Sequence, residues 1–391
     1  MSSPAAAPAA PADPRRYARQ RFWLNLSAGL ADLALLALLL VTPASRAIAA
    51  WTHALSPAPA LSVLLYVVAL GAGFRVLALP FDLAGRSIEI RFGMNRQTLP
   101  GWCLDELKST LVAGVVSLLA AEVVYWLLRA APAAWWAWAA AAFVVFLAFM
   151  AIAGPVLLLP IFFKLRPLSA EIETERILLE RLHATTDRLR RDQPRLPRLH
   201  GIFEWKLGEK TAKANAALTG LGRTRRVIIS DTLLADSPPE EIEAVFVHEL
   251  GHHAHGDIWR GLAFQSALIF LGFWVSQWAL AALSRPLHLA GIADVAGLPL
   301  LVLVFSLLGL ALLPVSNAFV RAMERRADDY AFANLGGPEP LIAALERLAA
   351  RNLAEVSPPR WKEWLLYSHP SISTRIRRGR VWQGRAASAP L

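Results

Sequence analysis

Long apolar stretches are the feature that most constrains the fold of this chain. Each is long enough to cross a bilayer, and the six stretches cover residues 22–41, 61–79, 111–128, 133–163, 262–283 and 295–315. Because lipid offers no partners for backbone groups, such segments cross it as helices. The sequence therefore predicts a mainly α, multi-pass transmembrane protein with about six to seven spans. The fourth stretch is over-long, and Pro155 and Pro160 predict a tilt or break near its end.

The composition agrees with a membrane protein and excludes several other classes. Hydrophobic residues make up 55% of the chain and charged residues 18%, against about 25% charged in soluble domains. The one cysteine, Cys103, excludes an internal disulfide and a cysteine-rich metal site. The formal charge of +10 is not accompanied by a nucleic-acid-binding motif. We therefore expect the lipid bilayer, and no nucleic acid, as a partner.

The positive charges predict the orientation of the spans. Arginines precede the first span, and Lys or Arg residues recur in the loop 86–108 and throughout the chain after Lys164. The opposite side carries little beyond Arg46, Arg129 and Arg285. By the positive-inside rule, the N-terminus and the region after Lys164 face the cytoplasm.

A predicted helix near the middle of the chain carries the motif H-E-x-x-H. Ser237 stands at the expected N-cap and Pro238 at the first helical position, with Glu240 completing a capping box and Gly256 as a stop. The motif alone occurs by chance in roughly one chain of this length in twenty. Its position in a capped helix after an apolar run makes chance a poorer explanation.

The motif has the spacing of a metal site. His248 and His252 share one helical face, so both rings can meet one ion, and Glu249 lies beside that face as a proton acceptor. Zinc suits such a site, with one Zn²⁺ per chain. Glu324 is the candidate third ligand, and Asp328, four residues later, can accept the N–H of a ligand histidine. Alternatively, the second helix is simply charged, and Glu324 pairs with Arg321 or Arg325.

A water-facing domain is predicted between residues 169 and 260, where the apolar density falls. It begins with an amphipathic helix over 169–192, followed by strand-like segments at 199–205, 214–218 and 226–230, the last two joined by the turn-forming TGLGRT. An edge strand beside the zinc helix can bind an extended peptide. Asn215 and Ala216 are the candidates for that edge, although a plain structural hairpin explains the spacing equally well.

Further polar residues have two interpretations each. His369 and Arg375 near the basic C-terminus could donate hydrogen bonds to an oxyanion, but a His-Pro pair there is also typical of a surface turn. Asp32, Arg75 and Glu122 lie within apolar spans, facing either a water-filled interior or the span ends. His255 is either a spare ligand or a solvated histidine.

Several segments, taken in order, resemble the integral-membrane zinc metalloproteases of the CAAX prenyl protease 1 family and, more distantly, the HtpX-type membrane proteases. The resemblance covers about residues 80–376, and its motifs are FDLAGRSIEIRFGMNRQT, PIFFKLRPL, KANAALTGLGRTRRVIISDTLL, EEIEAVFVHELGHH, the ERRAD run and HPSISTRI. The chain departs from the family at Val320, where Ser is frequent, and at His253, where eukaryotic members often have Trp.

The resemblance implies roles for the candidate residues. His248, His252 and Glu324 would be the zinc ligands, Glu249 the general base, and Asp328 the residue that orients a ligand histidine. Residues 215 and 216 would hold the substrate backbone, and His369 and Arg375 would lie near the reaction centre. The implied fold is a ring of transmembrane helices around a hydrated chamber, with a small cytoplasmic α+β gluzincin-like catalytic domain.

The predicted function is that of a membrane zinc metalloendopeptidase in a bacterial inner membrane, with its active site facing the cytoplasm. Its substrate would be a peptide or protein, either a prenylated CAAX protein or, in an HtpX-like role, a damaged membrane polypeptide. A non-catalytic zinc-binding scaffold is the remaining alternative. The expected division is a disordered basic tail (1–20), four spans (21–168), the catalytic domain (169–260), a transmembrane hairpin ending in the third ligand (261–324) and a cytoplasmic C-terminal segment (325–391).

Overall fold

The computed structural model describes residues 13–194, 196, 201–220 and 224–387. Its first helix, α1, begins at Pro14, because the Asp13 side chain caps it by accepting the Arg15 backbone N–H at 2.9 Å. The expected disordered tail over 1–20 is therefore wrong from Pro14 onwards. Residues 1–12 lie outside the described part of the chain.

Six helices of the described chain are long and apolar enough to cross a membrane, as predicted. Their ranges are α1 (Pro14–Val41), α3 (Pro59–Arg91), α4 (Leu99–Ala130), α5 (Trp135–Leu157), α10 (Asp257–Leu283) and α11 (Leu298–Asn334). The short helix α2 (Ala44–Leu55) connects α1 to α3, and α6 (Leu159–Phe162) follows α5. The fourth span is thus interrupted at Leu158, within the proline-containing segment where a break was predicted.

The six long helices form a closed ring. In order around it, α1 packs on α3, α3 on α4, α4 on α5, α5 on α10, α10 on α11, and α11 on α1. Within a span, Arg75 forms ion pairs with Asp82 at 2.5 Å and Glu106 at 3.0 Å. The charge is therefore neutralised by neighbouring carboxylates, while Asp32 and Glu122 are half-buried.

One end of the ring, called here the site end, carries the water-facing domain. At this end the Tyr17 hydroxyl donates to Glu89 at 2.6 Å, and Lys213 of the domain lies 3.2 Å from the same carboxylate. Lys210 also pairs with Asp105 at the start of α4. These contacts join the start of α1, the end of α3 and the start of α4 to the domain.

The domain contains a helix and a four-stranded sheet. The helix is α7 (Glu173–Asp192), and the strands are β1 (Leu165–Pro167), β2 (Ile202–Trp205), β3 (Ala216–Thr219) and β4 (Arg226–Ser230), in the order β1-β2-β4-β3. The strand order makes β3 an edge strand. Residues 199 and 200 of the first predicted strand, and 221–223 of the predicted turn, lie outside the described residues.

The remaining helices complete the domain and the C-terminal segment: α8 (Asp231–Asp236), α9 (Pro239–Ala254), α12 (Glu339–Arg351), α13 (Arg360–Leu366) and α14 (Ile372–Ala387). The predicted capping of the H-E-x-x-H helix by Ser237 is wrong. Pro238 is the N-cap of α9, and no side chain among the described residues caps it. The helix starts one residue later than predicted because a residue before a proline is disfavoured in the helical region, and Pro238 precedes Pro239. Gly256, at φ 66°, ends the motif's helical region as predicted and separates α9 from α10.

Candidate metal centre

Helices α9 and α11 bring the three candidate ligands together. One side-chain atom from each of His248, His252 and Glu324 lies within 4.8 Å of the others, and this is the one such cluster among the residues described. The Nε2 atoms of the two rings face Glu324, at 3.5 Å and 3.4 Å. The close crossing requires Gly251, since a Cβ there would lie 3.0 Å from the Cα of Ala327.

The other nitrogen of each ring contacts a buried carboxylate. His248 Nδ1 lies 3.0 Å from Asp328, and His252 Nδ1 lies 2.9 Å from Asp257. An arginine donates hydrogen bonds to each of these carboxylates. Arg375 donates two to Asp328, at 2.5 and 3.0 Å, and Arg326 donates one to Asp257 at 3.0 Å. This arrangement keeps the protons on Nδ1 and leaves Nε2 free to bind a cation.

The electrostatic surroundings favour positive charge between the two rings. Burial lowers the pKa of His252, but its hydrogen bonds to Asp257 and Glu324 outweigh burial and raise the pKa to about 10. For His248, burial also lowers the pKa, and the bonds to Asp328 and Glu324 again produce a net increase. By contrast, burial and Arg225 lower the pKa of His253 to about 4, so that ring is neutral.

The cluster fits a divalent metal. Oε2 of Glu324 is buried, and its contact with His248 Nε2 is long, at 3.5 Å, with no better hydrogen-bond partner among the described residues. Such weak pairing is costly for a buried carboxylate oxygen unless a cation binds it. Two imidazole nitrogens and one carboxylate oxygen form a donor set that zinc accepts, with a fourth position left for water. The charged-helix alternative for Glu324 is not what the structure shows, because Arg321 instead donates to the carbonyls of Glu363 and Tyr367.

Glu249 lies between the metal cluster and the free edge of β3. The Leu218 N–H donates to Glu249 Oε2 at 3.4 Å. The Ser230 N–H donates to the Asn215 carbonyl, and Ala216 is opposite Ile229. Along an antiparallel pair of strands, every second residue forms backbone hydrogen bonds with the partner strand. Because Asn215 does so, Ala217 also bonds to β4, whereas the backbone groups of Ala216 and Leu218 point to the free edge.

An apolar cavity of about 330 Å³ adjoins this strand on the face directed towards the membrane helices. Gly154, Leu158 and Phe162 line it from α5 and α6, and Thr219 and Ile228 line it from the sheet. The opposite face of the sheet packs into the domain core. A side chain projecting from a peptide beside β3 towards this cavity would enter an apolar environment.

The two C-terminal candidates occupy different positions. His369 is 60% exposed, and its Nε2 lies 3.2 Å from Glu324 Oε1, so the ring borders the metal cluster. Arg375 is buried behind His248, and its guanidinium is engaged by Asp328. His255 is outside the cluster: its Nδ1 is 2.7 Å from the Gly251 carbonyl and its ring contacts Tyr330.

Sequence reasoning did not identify Asp257 and Arg326, which orient His252. A signal for Asp257 was available, because it directly follows Gly256 and begins a new helix five residues after the second histidine. Arg326 belongs to the ERRAD run, but its contact with Asp257 depends on how α10 packs near α11. Nothing local in the sequence indicates that contact.

The ring of spans and the H-E-x-x-H cluster together define a membrane metalloprotease. The chain belongs to peptidase family M48, whose profile matches residues 178–383. Residues 9–164 match a second profile, described as the CAAX prenyl protease N-terminal region with five membrane helices.

Individual relatives agree with this assignment. The chain is 31% identical to the "Uncharacterized metalloprotease YhfN" of Bacillus subtilis over 88% of this chain and 79% of that protein. It is 26% identical to CAAX prenyl protease 1 of Saccharomyces cerevisiae, over 74% of this chain and 65% of that protein. It is also 31% identical to protease HtpX of Xylella fastidiosa, over 43% of this chain and 63% of that protein.

The fold is shared with a solved structure. The crystal structure of S. mikatae Ste24p superposes with a TM-score of 0.80, covering 94% of this chain and 87% of that chain at 23% identity. The expected multi-pass helical fold with a small α+β domain is thereby confirmed.

Proposed function

We propose that this membrane metalloprotease is a zinc endopeptidase that cleaves membrane-associated polypeptides, including prenylated CAAX-like ones. The observation that carries the proposal is the placement of Glu249 between a three-ligand cluster and the free edge of a strand. His248, His252 and Glu324 would hold one Zn²⁺. When bound, zinc lowers the pKa of a coordinated water towards about 7 and polarises a carbonyl oxygen.

In this mechanism Glu249 is the general base. Its carboxylate accepts the proton of the attacking water and later transfers it to the leaving amine. Contact with the Leu218 N–H directs the carboxylate towards the strand edge. A scaffold with purely structural zinc would have no use for a carboxylate at this position, which argues against the non-catalytic alternative.

Strand β3 would hold the substrate backbone in an extended conformation. The outward N–H and C=O groups of Ala216 can pair with a peptide, as an added strand does in other peptide-binding proteins. The Leu218 N–H already donates to Glu249 and is therefore not counted among these groups. Asn215, exposed directly before β3, would extend that contact through its side chain. A peptide lying there would pass directly beside Glu249.

His369 and Arg375 would have separate roles. The exposed ring of His369 borders the cluster and can donate to the oxyanion that forms when water attacks the carbonyl. Arg375 is a positioning residue, because its donors hold Asp328 and thereby the orientation of His248. This differs from the direct oxyanion contact that the sequence alone allowed as one interpretation of Arg375.

We place the site end at the cytoplasmic face of a bacterial inner membrane. The N-terminal arginines, the loop 91–98 and the domain 169–260 all lie at that end, whereas Arg46, Arg129 and Arg285 follow or precede spans at the other end. Positive loops favour the cytoplasmic side. The same argument assigns 325–391 to the cytoplasm as the segment that completes the site.

The membrane domain favours a CAAX-type substrate over a general quality-control role. The five-helix CAAX prenyl protease profile matches residues 9–164, whereas the HtpX relative from Xylella fastidiosa aligns with only 43% of the chain. An HtpX-like role remains the second candidate, since the protease part of the chain matches both kinds of relative.

The discriminating experiment compares one peptide with and without a prenyl group. Purified wild-type protein should cleave the prenylated form faster, and Glu249→Gln should cleave neither. Glu240→Gln is the matched control, because Glu240 is on the same helix, is 55% exposed and pairs with Arg181. Equal cleavage of both peptides would favour the HtpX-like role, and cleavage by Glu249→Gln at the wild-type rate would contradict the mechanism.

A further inference from the structure

A second cavity, lined by no residue of the metal cluster, lies between α1 and α3 at the site end. It has a volume of about 480 Å³. Arg19 and Arg91 line it with positive charge, Gln20 and Ser27 with polar groups, and Trp23 with an apolar surface. Its volume falls within the range of about 300–1,000 Å³ that is usual for ligand pockets.

The cavity opens towards lipid. Trp23, Leu30 and Val41 are 59%, 57% and 78% exposed. They are seven and eighteen residues apart, spacings that place all three on one face of α1. An exposed apolar face on a spanning helix is the surface that contacts acyl chains.

The cavity also lies at the level of the membrane interface. Arg19 is in the second turn of α1, and Arg91 is the last residue of α3. On the neighbouring face of the same two helices, Tyr17 and Glu89 contact the water-facing domain. Tryptophan and arginine at this depth are typical of the headgroup region.

The positive charges of the cavity have no anionic partner in the part of the chain that the structure describes. Neither Arg19 nor Arg91 forms an ion pair or a hydrogen bond among the residues that the structure describes. The acidic residue near the end of α3, Glu89, is already engaged by Tyr17, Arg21 and Lys213. Both arginines are exposed, and an anion bound between them would offset the repulsion of their like charges.

A polar group in the same cavity is also unsatisfied. Oε1 of Gln20 is buried without a hydrogen-bond partner in the described chain. A buried acceptor of this kind costs free energy unless a donor reaches it. The hydroxyl of a glycerol headgroup would supply such a donor.

From these observations we infer that the cavity binds the headgroup of an anionic phospholipid. The guanidinium groups of Arg19 and Arg91 contact the phosphate, and the glycerol hydroxyls reach Gln20 and Ser27. Trp23 packs along the start of an acyl chain. A free phosphate ion would satisfy the arginines but not the lipid-facing apolar surface.

The test measures phospholipid binding to the purified full-length protein by native mass spectrometry. The probes are phosphatidylglycerol and phosphatidylcholine with identical acyl chains. Wild-type protein should bind one phosphatidylglycerol more tightly than phosphatidylcholine. Arg19→Gln/Arg91→Gln should weaken that binding about 25-fold, since each interfacial arginine is worth about fivefold.

Two further variants separate a specific site from general charge. Arg15→Gln/Arg16→Gln removes the same amount of charge from the same end of the ring but no residue of the cavity, and should change binding less than about threefold. Ser27→Phe keeps both arginines and fills the cavity, so it should also reduce binding.

Two results would overturn the inference. One is equal loss of phosphatidylglycerol in the Arg15/Arg16 and Arg19/Arg91 variants, which would show attraction by net charge alone. The other is displacement of the lipid by millimolar inorganic phosphate, which would show a site for a soluble anion. Retention of the lipid in excess phosphate supports the headgroup site.

Discussion

The buried pair of Asp328 and Arg375 gives the sharpest test of how the metal centre is held. The side chain of Asp328 is fully buried and that of Arg375 is 9% exposed. Two hydrogen bonds join them, and Asp328 in turn contacts His248 Nδ1. We predict that Asp328→Asn destabilises the protein and loosens the metal site. The amide cannot carry the negative charge that both Arg375 and the His248 N–H require.

The expected magnitudes follow from burial. Removing one partner of a buried ion pair costs about 3–5 kcal/mol. Because asparagine still offers one acceptor to Arg375, we expect the lower limit, about 3 kcal/mol. Loss of the carboxylate behind a ligand histidine should lower zinc affinity by about 10- to 100-fold.

The neighbouring residue supplies a matched control. Asp329 also pairs with an arginine of α14, Arg378, but the two side chains are 43% and 34% exposed. Asp329→Asn makes the same chemical change one position away, and an exposed pair is worth less than about 1 kcal/mol. Its zinc affinity should equal that of the wild-type protein.

The assay has two parts, both on detergent-purified protein. Zinc affinity is measured by competition with a chromophoric chelator, and stability is measured by thermal unfolding with zinc removed. Equal zinc affinity in Asp328→Asn and Asp329→Asn would refute the role of Asp328 as the residue that orients His248.

Three further predictions concern the strand, its cavity and the second carboxylate. Asp257→Asn should weaken zinc binding by about 10- to 100-fold, measured by the same chelator competition. Gly154→Phe should lower kcat/KM about tenfold for peptides with a bulky apolar side chain near the cleavage site, because Gly154 lines the cavity and the ring would occupy part of it. Gly114→Phe should have no such effect, because Gly114 does not line the cavity, and at both positions a Cβ would have no described atom within 4 Å. Ala216→Pro should raise KM with little change in melting temperature, since its N–H faces the free edge, whereas Ala217→Pro breaks a bond to β4 and should destabilise the domain. Unchanged zinc affinity in Asp257→Asn would contradict the role of Asp257. Loss of activity in both Gly154→Phe and Gly114→Phe would contradict the role of the cavity, and equal destabilisation by Ala216→Pro and Ala217→Pro would contradict the role of β3 as a free edge.

The spans could be predicted because their signal is local. Length and hydropathy alone identify the six crossing helices, and Pro155 and Pro160 mark the interrupted one. Helix α11, the last span, packs on α1, the first span, and this contact closes the ring. The ring could be predicted only from the family resemblance, because helical periodicity carries no information about contacts between segments so far apart in the chain.

The candidate site likewise has features that local sequence signals predict and features that they do not. Helical spacing is enough to bring His248 and His252 to one face and to pair Glu324 with Asp328. The position of Arg375 behind Asp328 depends on how α14 packs against α11, and sequence spacing cannot report it. The start of α9 was predicted wrongly because capping preference was followed at Ser237 and the effect of two consecutive prolines was not.

The central claim is that Glu249 acts on water at a zinc ion held by His248, His252 and Glu324. The most direct measurement determines zinc per chain and cleavage rate for wild-type protein, Glu249→Gln and Glu240→Gln. The account predicts one zinc in all three, with cleavage reduced at least about 100-fold in Glu249→Gln alone. Normal cleavage by zinc-loaded Glu249→Gln would contradict it.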